Sequence, residues 1–169
     1  MLDRVPFGPI LAILALLCAV LFPATALMGL GASWGRVTVP AHVSWAVPVT
    51  LLTIFTHAII MFYFIGTGSR IKEVVKELSL NPSFYRRTLA FKDRVFPLSS
   101  LTLLVVMAAY IIGGGTHTRF RWTPPLLHGL VGAAAVVFNF LLCLREVACI
   151  SDNLTLVDEV DRAVLSANR

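Results

Sequence analysis

Apolar residues along this chain gather into four long runs, at about residues 7–30, 46–65, 95–112 and 125–144. A helix of about 20 apolar residues spans the roughly 30 Å hydrocarbon layer of a bilayer. The pattern therefore predicts an all-α integral membrane protein with four transmembrane helices. The connections are short, which favours an up-down-up-down bundle and a single membrane domain over residues 1–169. The first run begins like a secretory signal, with Arg4, an apolar stretch and Ala24-Thr25-Ala26. It outlasts a signal core of about 7–15 residues and continues beyond that site, so it is expected to stay as the first span, with Pro23 as a kink.

The polar stretches have patterns of their own. Between the second and third runs, Arg70 to Leu78 has apolar residues at helical spacing, and Asn81-Pro82 interrupts it. Ser83 is the expected N-cap of a return helix through Phe84, Tyr85, Leu89 and Phe91, giving a hairpin over residues 69–94. Beyond the fourth run, Leu154, Val157, Val160 and Val164 recur every three or four residues. Asp152, Asp158, Glu159 and Asp161 fall on the other side, predicting an amphipathic helix over residues 151–166. Residues 31–44 and 116–123 read as loops, the first with Trp34, Arg36 and His42, the second with His117, Arg119, Arg121 and Trp122. Gly129, Gly132 and Ala133 to Ala135 give the fourth span a face for close helix packing.

Composition strengthens the membrane reading. Hydrophobic residues make up 57% of the chain and charged ones only 14%, against about 25% charged in soluble domains. The net charge of +5 would suit nucleic acid if it were spread over a face. Instead Arg70 to Arg94 holds seven Lys and Arg, while the other two loops together hold three. By the positive-inside rule the hairpin and both termini are cytoplasmic, the basic loop lies against lipid headgroups, and no nucleic acid is expected. A bacterial inner membrane is the expected location. The cysteines Cys18, Cys143 and Cys149 form no CxxC pair and read as small packing residues.

The histidines are the most informative polar residues. On this topology His42, His117 and His128 fall at the outer end, and His57 falls near the middle of the second span. A membrane histidine must be hydrogen-bonded or act as a ligand. Imidazole is also the usual axial ligand of haem b in helical bundles. The histidines read either as structural hydrogen-bonding groups or as ligands of haem b or a metal in the outer half. His57 with His128 or Met107 is the haem-ligand set, and His42, His117 and His128 are a shallow metal-ligand set. Asn139 in the fourth span reads as an interhelical hydrogen-bonding group, and Arg145-Glu146 as an anchor at the inner boundary. No hydrolase constellation or mid-span carboxylate is evident, which weighs against independent catalysis and ion pumping.

In architecture alone the pattern resembles the small membrane-anchor subunits of respiratory enzymes, which hold haem b or quinone between helices. That implies an electron-transfer subunit working with a quinone and with partner subunits or a second copy. The alternative is an accessory or anchor subunit without a cofactor that stabilises a larger membrane complex.

Overall fold

The computed structural model describes residues 7–117 and 124–167, which form four long helices. They are α1 (Phe7–Ser33), α2 (Val39–Glu77), α3 (Ser83–His117) and α4 (Pro125–Ala167). All four are long and apolar enough to cross a membrane. At about 1.5 Å per residue, the 39 residues of α2 extend about 58 Å, well beyond the 30 Å of hydrocarbon. The hairpin of α2 and α3 and the tail of α4 are thus direct continuations of the apolar helical segments.

The structure departs from the expected breaks at two places. The loop predicted over residues 31–44 is shorter, because α2 starts at Val39 and carries His42 and Trp45 on helix. Thr38 caps it by accepting the Ala41 amide at 3.3 Å, and Pro40 sits in the first turn, where its missing N–H is no loss. The third apolar run reads as ending in Gly113 to Gly115, but these glycines do not end α3, which runs to His117. The return helix begins at Ser83 as expected, but its cap is the Asn81 side chain, whose oxygen accepts the Ser83 amide at 2.9 Å.

Consecutive helices pack antiparallel, α1 closes the ring against α4, and α2 meets α4 across the diagonal. The buried positions follow three-and-four spacing, as in left-handed bundles. On α1 they are Gly8, Leu11, Ala15, Cys18, Phe22 and Thr25. On α4, Asn139, Glu146 and Asn153 recur every seven residues on the inward face.

Polar side chains lie inside the bundle beside its apolar core, and large apolar side chains cover much of its outside. Thr53, Thr56, His57, Ser99, Thr102, Asn139, Glu146 and Asn153 are buried, while Val20, Leu27, Phe62, Leu104 and Leu130 are exposed. Lipid rewards no burial of leucine, so membrane helices associate through small side chains and interhelical hydrogen bonds. The Gly8 position illustrates the close approach: a Cβ there would stand 2.9 Å from Leu154 and 3.1 Å from the Tyr63 hydroxyl.

In the hairpin-end core, Ile71, Val75, Phe91, Leu156 and Val160 are buried together. Arg87 of α3 and Glu159 of α4 form a bidentate ion pair there, its second contact at 3.3 Å. The Arg87 hydrogen bond is the main cause holding the Glu159 carboxyl below its ordinary value.

Candidate functional site

Two features stand out within the bundle: a closed polar cluster in its centre and a cavity near the α1–α2 loop end.

The cluster is built on His57, which is fully buried on α2. Its Nδ1 lies 2.8 Å from Glu146 Oε2 and its Nε2 lies 2.9 Å from Asn139 Oδ1. Seven residues separate Asn139 from Glu146, so both side chains leave α4 on the same face and meet the imidazole from either side. Asn139 Nδ2 donates to the Cys18 carbonyl of α1 at 3.2 Å. The cluster therefore ties α1, α2 and α4 together.

This geometry fixes the proton count. A carbonyl only accepts, so the Cys18 contact sets the Asn139 amide with its oxygen toward His57. The imidazole must then carry its proton on Nε2. A single proton is left to bridge Nδ1 and Glu146 Oε2, whether it rests on nitrogen or on oxygen. In both placements the pair is neutral overall, the condition under which a histidine and a carboxyl can be buried side by side.

Cys143 completes the cluster, one turn from Asn139, with Sγ 3.9 Å from Asn139 Oδ1. The ligand atoms of His57, Cys143 and Glu146 all lie within 4.8 Å of one another. Glu146 is fully buried, and its second oxygen, Oε1, has no hydrogen-bond partner. Nearer the hairpin end, Asn153 Nδ2 donates to the Tyr63 hydroxyl at 2.9 Å.

The cavity near the α1–α2 loop end has a volume of about 360 Å³. Phe22, His42, Thr50, Tyr110, His128 and Gly132 are among its lining residues, so all four helices contribute. His42 and His128 are each the fourth residue of their helix, α2 and α4. They consequently enter the bundle at the same depth from the same end. Their rings rest in glycine notches: a Cβ on Gly29 would lie 3.2 Å from the His42 ring, and one on Gly113 would lie 2.6 Å from the His128 ring. At Gly113 a Cβ would force the His128 ring or the backbone to shift, and at Gly29 the His42 ring would have to give by a few tenths of an ångström.

The sequence-predicted residues are distributed differently from the expected pairings. His57 and His128 are not brought together. His128 lies 11 residues from Asn139 along α4, about 16 Å, and Asn139 is where α4 meets His57. Met107 is 48% exposed on the outward face of α3, turned away from His57, and so does not complete a His/Met pair. Of the proposed shallow metal set, His42 and His128 share the cavity wall, whereas the His117 side chain and residues 118–123 lie outside the described part. Asn139 bonds across helices as its position suggested.

Glu146 is the correction. It is a buried partner of His57 and no boundary anchor, because it falls on the inward stripe of α4 while Arg145 beside it points outward. The seven-residue spacing of Asn139, Glu146 and Asn153 was the sequence signal that marks it.

No protein-family model, curated protein or solved structure matches this chain.

Proposed function

We propose that this protein is an integral membrane subunit that holds a flat, apolar-bodied ligand of the quinone class in the cavity near its α1–α2 loop end. The observation that carries this reading is the cavity itself. Its 360 Å³ falls within the size range of small-molecule sites, and its mostly apolar walls carry a few polar groups. His42, His128, Tyr110 and Thr50 offer hydrogen bonds to ring carbonyls, while Phe22, Val106 and Gly132 suit the ring body and its tail. The excess of basic residues in the hairpin favours a cytoplasmic hairpin, with the cavity toward the opposite leaflet. On this reading the chain serves a partner enzyme or a second copy of itself in moving electrons through the bound ligand.

The equal depth of His42 and His128 supports a second reading, haem b ligated between α2 and α4 in the same cavity. One preparation separates the two. Protein purified in mild detergent is examined by absorption spectroscopy, and its organic extract is chromatographed. The quinone reading expects no Soret band, a quinone in the extract, and saturable quenching of tryptophan fluorescence by a short-chain quinone. Gly132→Leu should abolish that quenching, since a Cβ at Gly132 meets nothing within 4 Å and the side chain has room to fill the cavity mouth. A Soret band lost in His42→Ala and His128→Ala would replace quinone by haem. A colourless protein with a quinone-free extract and no quenching would leave the accessory-subunit alternative.

A further inference from the structure

The central cluster lies apart from the cavity, and nothing in the quinone reading uses it. We propose that His57, Cys143 and Glu146 form a binding site for one divalent transition-metal ion of the zinc class, oriented by Asn139.

The ligand set is the first argument. Ligand atoms of His57, Cys143 and Glu146 come from two helices and lie within 4.8 Å of one another. Tetrahedral zinc, with bonds of about 2.0–2.3 Å, needs ligand atoms about 3.3–3.8 Å apart. Nδ1 and Oε2, now 2.8 Å apart, would open by a few tenths of an ångström to admit the ion. The sulfur would move inward by about 1 Å at most, within reach of a change in its rotamer.

The orientation of His57 is the second argument. A histidine that binds metal through one nitrogen usually donates its other N–H to a fixed oxygen acceptor, which sets the tautomer. Asn139 Oδ1 is that acceptor, and the Cys18 carbonyl holds it in place. Nδ1 is therefore the nitrogen whose lone pair faces the site.

The unsatisfied carboxylate oxygen is the third argument. A buried polar atom without a partner costs roughly 1–3 kcal/mol, and Glu146 Oε1 is such an atom in a fully buried residue. A metal ion bound by both carboxylate oxygens would engage it. That supplies the fourth coordination position without another residue.

Charge selects the ion. The metal-free cluster holds one proton between His57 and Glu146 and one on the Cys143 thiol, and is neutral. Loading releases both: M²⁺ binds the imidazole lone pair, the thiolate and the carboxylate, and two protons leave. The loaded cluster is again neutral, as burial among apolar helices requires. A monovalent ion would leave a net negative charge. The mixture of thiolate, imidazole and carboxylate suits zinc and its neighbours and not magnesium or calcium, which take all-oxygen sites.

The test is elemental analysis of protein purified in detergent through a peptide tag that contains no histidine. Wild type should carry about one equivalent of zinc, or of cobalt after growth in cobalt-supplemented medium. The cobalt form should show a thiolate-to-metal charge-transfer band in the near ultraviolet. Cys143→Ser should lose that band and most of the metal. Glu146→Gln should lose the metal yet remain folded, because the amide can still donate to His57 Nδ1. Helical circular dichroism and a monodisperse elution profile confirm that both variants fold. Metal content well below one-tenth of an equivalent in wild type, with no cobalt band, would overturn the proposal. So would equal metal in wild type and both variants, which would mean adventitious binding elsewhere.

Discussion

The bridging proton between His57 and Glu146 makes a quantitative prediction. Consider Glu146→Leu and Glu146→Gln, measured in the presence of a chelator so that only hydrogen bonding is read. If the pair were a salt bridge whose imidazole stayed charged, removing Glu146 would leave a buried cation, at a cost of about 3–5 kcal/mol. The geometry argues otherwise. With Asn139 holding the proton on Nε2, His57 becomes a neutral imidazole once Glu146 is gone, and the only loss is one buried acceptor at Nδ1. An unmade hydrogen bond of that kind costs about 1–3 kcal/mol. Leucine relieves part of it, since the partnerless Oε1 leaves with the carboxylate. We therefore expect Glu146→Leu to destabilise by about 1–2 kcal/mol and Glu146→Gln, which restores a donor to Nδ1, by less than about 1 kcal/mol. Reversible unfolding in mixed micelles, titrated with sodium dodecyl sulfate and followed by far-ultraviolet circular dichroism, reads both values. A loss above about 3 kcal/mol for the leucine variant would refute the neutral pair. Equal stability of all three proteins would refute the hydrogen bond itself.

Other expectations follow from the same structure. Gly113→Ala should destabilise by about 1–3 kcal/mol through its 2.6 Å encounter with the His128 ring, whereas Gly114→Ala, which meets nothing, should be neutral or slightly stabilising; the same titration compares them. The Arg87–Glu159 pair should fasten the tail of α4 to the hairpin in a pH-dependent way. The Glu159 carboxyl is lowered in the folded protein, so the contribution is complete above its ordinary 4.5 and is lost as the pH falls through the lower folded value. Amide exchange over residues 152–167, corrected for intrinsic rates, should accelerate in acid in wild type and show little of that dependence in Arg87→Ala. Cys18, Cys143 and Cys149 are all buried, so a membrane-permeant maleimide should label none of them until the protein is denatured, with labelling counted by mass spectrometry.

How far the sequence reaches differs from element to element. The four apolar runs and the two helical extensions were readable because span length and three-to-four periodicity are local properties. The start of α2 was not. Tryptophan, arginine and histidine gave residues 31–44 the look of an interfacial loop, and a threonine cap with a proline in the first turn was weaker evidence than that composition. The end of α3 was misjudged for a related reason: Gly113, in a run that would end an isolated helix, is here the notch against which the His128 imidazole packs. The histidines were recognised as the informative residues, yet their pairings were inferred from depth alone. Depth says nothing about which face of a helix a side chain occupies, and face decides partners in a bundle.

The sequence by itself thus determined four apolar helices, their alternating order, the basic hairpin and the acidic tail, because each is written in neighbouring residues. The tertiary structure alone decided that His57 meets Glu146, 89 positions away, that Asn139 fixes its tautomer through a carbonyl of α1, and that His42 and His128 face one cavity. Those facts depend on rotation of each helix about its axis. In a chain whose outward and inward surfaces are both largely apolar, rotation is set by where the few polar groups find one another.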